Sequence, residues 1–506
     1  MKNKLKNKIT LLNMISTLLL QLITIISGFV IPKIILSFFG SNVNGLVSSL
    51  TQFLNYIALI EGGITGVVTA SLYKPLCDND DQKISSIVKT TNKFYKKIGM
   101  IFIIYTLLLA FLYPLLFNTN FSYFYVFSLT IILSLSLLIQ YMFSLTLRTL
   151  LNADKKVYIV SITQSIIILI NMILALLSVY IFPSIHVMKL LTGLIFIIQP
   201  IVFNLYVKKH YKLDKNAKPD NKLLESRWDG FAINVAAFVH SCTDVAILTV
   251  FANLKTVSVY SVYSLVSSGL KQIVNSITVG INPTIGQAYA KENAKELNEK
   301  MDLYEYIVFL LVFFLFTVGA LLVTPFVMIY TKGITDANYC EPIFGILLLI
   351  SEAIYLLKFP HLNLAYSANK FKDITKPAFF EAGINIIVSI VLVRKLGIIG
   401  VAIGTLIAMI YRMIFHIKYT TKLVENRNQW IFYRKLIIFA IGTLIGLGIC
   451  YFIPQVKYTI SSWIIHAIIY SIIFAIIYSV ISVLFFKKEL KFFKGYIFRK
   501  KGDKNK

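Results

Sequence analysis

The sequence is short of charged residues and of cysteine, and each shortage excludes a class of protein. Charged residues occupy 14% of the 506 positions, whereas roughly a quarter is usual in a soluble protein. The four cysteines stand far apart and form no CxxC pair, which argues against a metal site and a disulfide framework. Acidic residues number 23 against 50 Lys and Arg. The resulting charge of +27 would suit nucleic-acid binding, but no nucleic-acid-binding motif accompanies it.

The sequence is instead rich in long apolar blocks. Hydrophobic residues make up 57% of the chain, and the mean hydropathy is +0.75. The blocks reach ~20 residues or more, which is the length that crosses a ~30 Å hydrocarbon core. In lipid each block must pair its own backbone groups, so helices are favoured despite the abundance of Ile and Val. The sequence therefore predicts an all-α polytopic membrane protein.

About fourteen blocks are long enough to be transmembrane helices. They cover residues 9–38, 45–73, 98–117, 123–150, 157–182, 187–207, 228–252, 258–289, 305–330, 342–366, 375–393, 397–417, 434–453 and 458–486.

The positive charges predict the orientation of these spans. Only five of the 50 Lys and Arg lie in the joins that follow odd-numbered spans, and most of the others lie in the termini and the even joins. By the positive-inside rule, the even joins and both chain termini are cytoplasmic. The outer joins are short, and the longest covers about ten residues at 332–341. They leave no room for an external domain.

Two segments of the first half have counterparts in the second half. GITGVVTASLYK (63–74) matches GINPTIGQAYAK (280–291), and LLNADKK (150–156) matches YSANKFK (366–372). Polar segments that we expect to be amphipathic, 78–97 and 292–304, follow the first pair. Both halves start on the same side of the membrane, so the predicted repeats are parallel and related by an axis along the membrane normal.

The sequence thus predicts two six-helix bundles and two additional helices. The N-terminal bundle covers 1–207, a basic cytoplasmic linker 208–227, the C-terminal bundle 228–421, and the additional helices with a basic tail 422–506. One chain contains both bundles, so we expect a monomer.

Three motifs carry a resemblance to a known family. They are EGGITGVVTASLYKPL (61–76), RTLLNADKK (148–156) and the helix-breaking GIIGVAIGT (397–405). With these motifs in this order, the chain resembles the bacterial oligosaccharide-lipid flippases of the Wzx type. Their superfamily also holds MATE drug exporters and lipid II flippases.

The resemblance implies a V-shaped pair of bundles around a cavity that opens alternately to each side of the bacterial cell membrane. It implies a substrate made of a short glycan on undecaprenyl diphosphate. It also implies polysaccharide polymerase or assembly proteins as partners.

Cationic side chains inside the spans are candidate substrate ligands: Arg148, His240, Lys271 and Lys358. A charge at the centre of a membrane helix costs roughly 2.5–3.5 kcal/mol on the insertion scale, so each needs a reason. A diphosphate that crosses a region of low dielectric would need such cations, and Arg offers a fork that matches phosphate oxygens. The alternatives are internal ion pairs and, for Arg148, snorkelling to the headgroups.

Embedded carboxylates are candidate sites for a coupling ion: Glu61, Asp244 and Glu352. His240 and Asp244 are spaced i, i+4 and share a helical face, so the pair could hold a proton or Na⁺ or simply lock two helices together. Glu352 and Lys358 are six residues apart and should not pair directly. No cofactor is expected beyond an H⁺ or Na⁺ gradient.

Glycine and proline inside the spans are candidate hinges: Gly62, Gly63, Gly280 and Pro283. Bends there would suit bundles that rock between two states, although both residue types are common in membrane helices.

These observations predict a flippase for undecaprenyl-diphosphate-linked oligosaccharide that serves capsular polysaccharide, exopolysaccharide or O-antigen assembly. A cation-coupled multidrug exporter of the same superfamily is the alternative, but it would favour an acidic cavity, whereas the embedded acids and bases are evenly matched here. A polysaccharide polymerase or ligase would need a sizeable outer loop to hold an acceptor. We therefore expect no enzyme activity.

Overall fold

A computed structural model of the chain describes residues 2–61, 64–117, 120–214, 216–220, 242–278, 281–290 and 293–498. Side chains are described in these ranges except at 2–7, 60, 282–283 and 493–498. Every regular element in these ranges is a helix. The all-α fold class predicted from the apolar blocks is confirmed.

The first half of the chain forms nine α-helices. They are α1 (Lys2–Leu54), α2 (Ala58–Glu61), α3 (Ile64–Asp78), α4 (Asp81–Leu116), α5 (Tyr123–Ile139), α6 (Leu145–Ala153), α7 (Val157–Ile181), α8 (Ile185–Leu194) and α9 (Ile198–His210). A π-helical turn, Gln140–Ser144, joins α5 to α6.

The second half forms eleven more helices among the described residues. They are α10 (Cys242–Phe251), α11 (Leu254–Thr278), α12 (Asn282–Ala290), α13 (Ala294–Tyr330), α14 (Pro342–Leu357), α15 (Phe359–Ser367), α16 (Phe371–Leu396), α17 (Ile398–Thr420), α18 (Trp430–Tyr451), α19 (Ile460–Phe485) and α20 (Lys487–Phe498).

Eleven helical segments in the described ranges are long and apolar enough to cross a membrane. The chain is a multi-pass membrane protein. The first of these segments, Lys8–Ile57, has 50 residues and contains a break at Gly40, where φ is 79°. It combines the first predicted span with the first part of the second, 45–57. The seventh predicted span lies largely outside the described residues, so the total of fourteen stays a prediction.

From Asp81 and from Ala294 onward, the predicted polar segments (78–97 and 292–304) are continuous with the spans that follow them. These residues form the first turns of α4 and α13, which have 36 and 37 residues. Each helix starts with a side-chain cap, since Asp80 accepts from the backbone N–H of Lys83 at 2.9 Å and Asn293 from that of Glu296 at 3.0 Å. Such caps satisfy amide groups at the helix start that have no partner within the helix.

The paired motifs LLNADKK and YSANKFK form the same turn. Lys155 and Asn369 both adopt the left-handed conformation, with φ of 59° and 55°. The next residue then donates its backbone N–H five positions back, Lys156 to Leu151 at 2.9 Å and Lys370 to Ala365 at 3.0 Å. This is the Schellman pattern that ends helices. The local match supports the predicted duplication.

The segment GIIGVAIGT breaks a helix only at its first residue. Gly397, with φ of 54°, separates α16 from α17. The next two glycines, Gly400 and Gly404, lie inside α17. The expectation that the whole motif breaks the helix is therefore wrong, because these two glycines serve close packing against α16.

The chain packs as two compact units. Unit 1 consists of residues 1–258 with 333–337, and unit 2 of 259–332 with 338–506. This division differs from the predicted bundles, which rest on internal similarity and stay predictions. Within unit 1, Asp336 binds the residue that follows the break in α1. Ser41 donates its backbone N–H to Asp336 Oδ2 at 2.8 Å and its hydroxyl to Asp336 Oδ1 at 2.6 Å.

The helices that end the chain are attached to unit 2 by aromatic side chains. Phe309 on α13 meets Phe432 and Phe439 on α18, with ring centroids 4.9 and 5.8 Å apart. Phe439 also contacts Tyr478 on α19 at 5.6 Å. These rings bury a large apolar area, which fixes α18 and α19 against the bundle.

Candidate functional site

The embedded charges of unit 2 gather around the ring of Tyr355. The ammonium groups of Lys271, on α11, and Lys358, between α14 and α15, each lie 4.3 Å from its centroid. A cation over an aromatic face is attracted by the ring quadrupole. Lys271 also pairs with Glu352 at 3.0 Å. We call Lys271, Glu352, Tyr355, Lys358, Glu381 and Arg412 the Tyr355 cluster.

The buried end of the Tyr355 cluster is built on Glu381. This carboxylate, on α16, lies 3.9 Å from Lys358 Nζ and 3.2 Å from Arg412 Nε. Arg412, on α17, also donates to the carbonyl of Ile374 at 3.1 Å. All three ionic side chains are buried, whereas those of Lys271 and Glu352 keep 24% and 18% of their surface exposed. The cluster therefore runs from a buried end to a partly exposed one.

The cluster carries more positive than negative charge. Lys271, Lys358 and Arg412 face two carboxylates, an excess of one cation. His416, one turn after Arg412 on α17, is fully buried. Neither of its ring nitrogens has a hydrogen-bond partner among the described residues. Buried cations in excess of their partners favour binding of an anion, because burial of an unpaired charge is costly.

Unit 1 contains a separate cavity of about 360 Å³. Its wall is formed by Glu61, Thr65, Leu137, Gln140, Tyr141, Leu145, Arg148, Thr149 and Asn152. We call it the Glu61 cavity. The π-helical turn between α5 and α6 contributes Gln140 and Tyr141. Such turns often occur at functional sites, because they re-aim side chains within a helix.

Hydroxyl groups surround the carboxylate of Glu61. Thr65 donates to its Oε1 at 2.8 Å, Tyr95 to the same oxygen at 3.5 Å, and Tyr141 to its Oε2 at 3.1 Å. No cation lies within ion-pair distance of Glu61 in the described part of the chain. Arg148 lines the same cavity, and its guanidinium forms no hydrogen bond to a described residue. One charge of each sign thus faces the same space.

A third group of charges lies between α13 and α18. The carboxylate of Glu305 is fully buried and accepts from Arg427 Nη2 at 2.6 Å and from Lys435 Nζ at 2.7 Å. His361 Nε2 lies 3.2 Å from it, and Asp302 accepts from both cations at 3.1 Å. Burial lowers the pKa of Arg427, but the Glu305 and Asp302 carboxylates outweigh it and hold that pKa above its usual value.

Several residues predicted to form the site lie outside the described part of the chain. They are His240, Gly62, Gly63 and Gly280, together with the side chain of Pro283. Asp244 is buried on α10. The site and hinge assignments stay predictions. The structure brings Lys271 and Glu352 together with Lys358. It places Arg148 in the wall of the same cavity as Glu61.

Tyr141, Tyr355 and His416 were not predicted from the sequence. Because the chain has 29 Tyr and 38 Phe, the sequence alone did not distinguish these two tyrosines from the other aromatic residues. The position of Tyr355, three residues from both Glu352 and Lys358, is the signal that could have selected it, because i, i+3 neighbours lie close on a helix. The pair Glu352 and Lys358 forms no direct ion pair, as their spacing predicts.

The fold is similar to solved structures of membrane transporters. The lipid II flippase MurJ, in an inward closed conformation, matches with a TM-score of 0.68 at 16% identity, covering 93% of this chain and 99% of MurJ. An inward-facing multidrug resistance MATE family transporter of the MOP superfamily gives a TM-score of 0.55 at 12% identity over 81% of this chain and 96% of its own. The Vibrio cholerae MATE transporter VcmN gives 0.57 at 12% identity over 84% of this chain and 97% of its own.

At these identities the likeness establishes the fold alone. No protein-family model matches the sequence, and no curated protein sequence matches it. The chain has the fold shared by MurJ and the MATE transporters, as the motif resemblance predicted.

Proposed function

We propose that the protein is a flippase that moves undecaprenyl-diphosphate-linked oligosaccharide from the inner to the outer leaflet of the bacterial cell membrane by alternating access. The observation that carries the proposal is the cation excess of the Tyr355 cluster. The likeness to a lipid II flippase over 93% of this chain supports it. Polysaccharide polymerase or assembly proteins would then use the flipped product.

The chemistry of a diphosphate fits the Tyr355 cluster. Its charge would be heavily penalised in a region of low dielectric without cations. Arg412 offers a planar fork that matches phosphate oxygens, and Lys271 and Lys358 offer movable point charges. The partly exposed pair Lys271–Glu352 gives an anion a way to reach the cluster. On binding, the phosphate oxygens would compete with the carboxylates for the same ammonium groups.

Reconstituted flipping tests the proposal. Purified protein in proteoliposomes should move the lipid-linked oligosaccharide of its source cells to the opposite leaflet, measured by access of a glycan-cleaving enzyme added outside. Lys358→Met should slow this movement roughly tenfold or more, because a hydrogen bond to a charged group contributes about 1.5–3 kcal/mol. Lys395→Gln, at an exposed position of α16, is the matched control and should flip at the rate of the unaltered protein.

The rates of the two variants distinguish a cluster that binds substrate from one that only holds helices together. Equal rates for Lys358→Met and Lys395→Gln would show that the Tyr355 cluster only holds helices together. No flipping by folded, unaltered protein would refute the proposed function.

A cation-coupled multidrug exporter is the second candidate function. The observation that favours it is the carboxylate of Glu61, which forms no ion pair in the described part of the chain and is a candidate site for a coupling H⁺ or Na⁺. The likeness to MATE transporters also favours it. Such an exporter would drive ethidium across proteoliposome membranes when an H⁺ or Na⁺ gradient is applied. Glu61→Gln should then abolish the transport. Ethidium transport without flipping of lipid-linked glycan would replace the first proposal by the second.

A further inference from the structure

The Glu61 cavity has a different charge balance from the Tyr355 cluster. One carboxylate, Glu61, and one guanidinium, Arg148, face it, so their charges cancel. A diphosphate would find no cation excess there, and an organic cation would find no net negative charge. The wall suits a neutral or weakly charged ligand that both donates and accepts hydrogen bonds.

The polar groups of the wall offer hydrogen bonds in both directions. Glu61 can only accept when it is ionised, and Arg148 can only donate. The side-chain carbonyl oxygen of Asn152 is buried and has no partner among the described residues. It lines the cavity, and a buried acceptor without a donor is costly unless a ligand supplies one. A ligand placed here would therefore need hydrogen-bond donors for Glu61 and Asn152 and an acceptor for Arg148, at nearby positions.

The apolar part of the wall and the size of the cavity limit the ligand further. Leu137 and Leu145 supply apolar surface beside the polar groups. The volume of about 360 Å³ lies at the small end of the roughly 300–1,000 Å³ typical of ligand sites. A sugar ring combines neighbouring hydroxyls, which donate and accept, with an apolar C–H face, and one ring is of the right size.

The π-helical turn adapts the helix to this wall. It places Gln140 and Tyr141 in the wall of the cavity. Phe143, in the same turn, does not line the cavity and is exposed on the surface of the protein. Gln140 donates its side-chain amide to the carbonyl of Ser136 at 3.1 Å, which fixes the side chain. The tyrosine hydroxyl is held by Glu61.

We propose that the Glu61 cavity is a saccharide-binding subsite that receives one sugar ring of the transported glycan. The proposal rests on the proposed function, because the flippase substrate supplies the sugar. It deepens that function by assigning recognition of the glycan to residues of unit 1. Glu61 and Arg148 would bind ring hydroxyls from opposite sides, and Leu137 and Leu145 would cover the apolar face.

Binding measurements on the full-length protein in nanodiscs test this assignment. The two probes are the free oligosaccharide, released by mild acid from the lipid-linked pool of the source cells, and inorganic pyrophosphate. Calorimetric titration should show glycan binding that Arg148→Met weakens by roughly 10- to 100-fold and Tyr141→Phe by roughly 3- to 10-fold. Phe143→Leu, which alters the same turn outside the cavity, should leave glycan affinity unchanged within about twofold.

The second probe separates failure of this inference from failure of the proposed function. Pyrophosphate binding should be insensitive to Arg148→Met and Tyr141→Phe and should weaken in Lys358→Met. Glycan that does not bind, or binds equally to Arg148→Met, overturns the saccharide subsite while retained pyrophosphate binding leaves the flippase proposal standing. Loss of pyrophosphate binding alone, with glycan binding intact, overturns the diphosphate site and supports the subsite.

Misfolding is excluded by the conservative variant. Tyr141→Phe keeps the ring and removes only the hydroxyl, so it should elute and melt like the unaltered chain. If it does so and still binds glycan with full affinity, the subsite assignment is wrong.

Discussion

At the scale of single residues, Glu305 is a buried carboxylate that pairs with two cations. It is fully buried, yet it holds Arg427 at 2.6 Å and Lys435 at 2.7 Å. A buried ion pair gains little over an apolar contact, but removal of one partner leaves an uncompensated charge. The three residues come from α13, α18 and the join before α18, so their pairing ties the additional helices to the bundle.

We predict that Glu305→Gln destabilises the protein strongly. Two buried cations would keep only Asp302, whose side chain is 28% exposed, as a carboxylate partner. The expected loss is about 3–5 kcal/mol, measured as a lowered midpoint of thermal unfolding in detergent.

The control for this prediction is Lys300→Gln, on the same helix. It removes an i, i+4 pair with Glu296 in which both side chains are 31% exposed, and such pairs contribute about 0.3–0.5 kcal/mol. Similar midpoints for the two variants would contradict the prediction.

The sequence identifies the embedded charges but not their partners. Lys271 and Lys358 stand out because they lie inside predicted membrane spans, which is a local property of the sequence. Their placement around Tyr355 depends on contacts between distant helices. Lys435 was missed because it lies at the edge of a predicted span. Its partner Glu305 is 130 residues away along the chain.

At the scale of helices, α16 and α17 form the tightest pair in unit 2. A Cβ added at Gly400 would lie 2.5 Å from the carbonyl carbon of Leu392, and one at Gly404 would overlap the hydroxyl of Ser389. Asn385 donates to Thr405 across the same contact at 3.2 Å. Small residues let helix backbones approach closely in membranes, where dispersion and hydrogen bonds replace the hydrophobic effect.

We predict that Gly400→Ala weakens this helix pair. The new methyl group would meet backbone atoms, which cannot rotate away as a side chain would, so the cost should be about 1–3 kcal/mol. The matched variant is Gly383→Ala on α16, where an added Cβ meets no atom within 4 Å. It should leave stability unchanged or raise it by up to about 1 kcal/mol, because alanine favours helices. The midpoint of thermal unfolding measures the stability of both variants, and equal losses of stability would contradict the prediction.

The sequence predicted most helices but not their full lengths. Hydropathy locates the part of each helix that lies in lipid, because the bilayer selects for apolar length. It cannot show that α4 and α13 extend beyond this part, since polar helical turns in water have no such signature. The caps at Asp80 and Asn293 mark the true starts, and they could have been recognised from the sequence.

At the scale of the whole molecule, the compact units and the predicted repeats have different boundaries. Unit 1 includes α10 and residues 333–337, which come from the second half of the chain. Thr249 of α10 and Ser49 of α1 share a hydrogen bond of 2.7 Å, and Asn44 donates to Ser258 at 2.8 Å. The predicted repeats rest on internal similarity of the sequence, whereas these contacts determine which parts pack together.

We predict that the first unit does not fold from residues 1–214 alone. This fragment lacks Thr249, Ser258 and Asp336, so Ser49, Asn44 and Ser41 would each lose one partner in the fold. Each lost hydrogen bond of a buried group should cost about 1–3 kcal/mol. A fragment of residues 1–258, which restores two of the three contacts, should accumulate in membranes at a severalfold higher level. Quantitative blotting of tagged fragments measures this, and equal accumulation would contradict the predicted role of α10.

The span that contains the π-helical turn Gln140–Ser144 can lose one residue there and remain helical. It accommodates one more residue than an α-helical turn, so loss of one residue there would leave a regular α-helix. Because the wider turn absorbs the extra residue, the chain beyond it would stay nearly in phase about the helix axis, and Arg148 would keep its side of α6. The change would fall on Gln140 and Tyr141, which the turn places in the cavity wall. A deletion within this turn would thus alter the wall of the cavity while the number of spans stays the same.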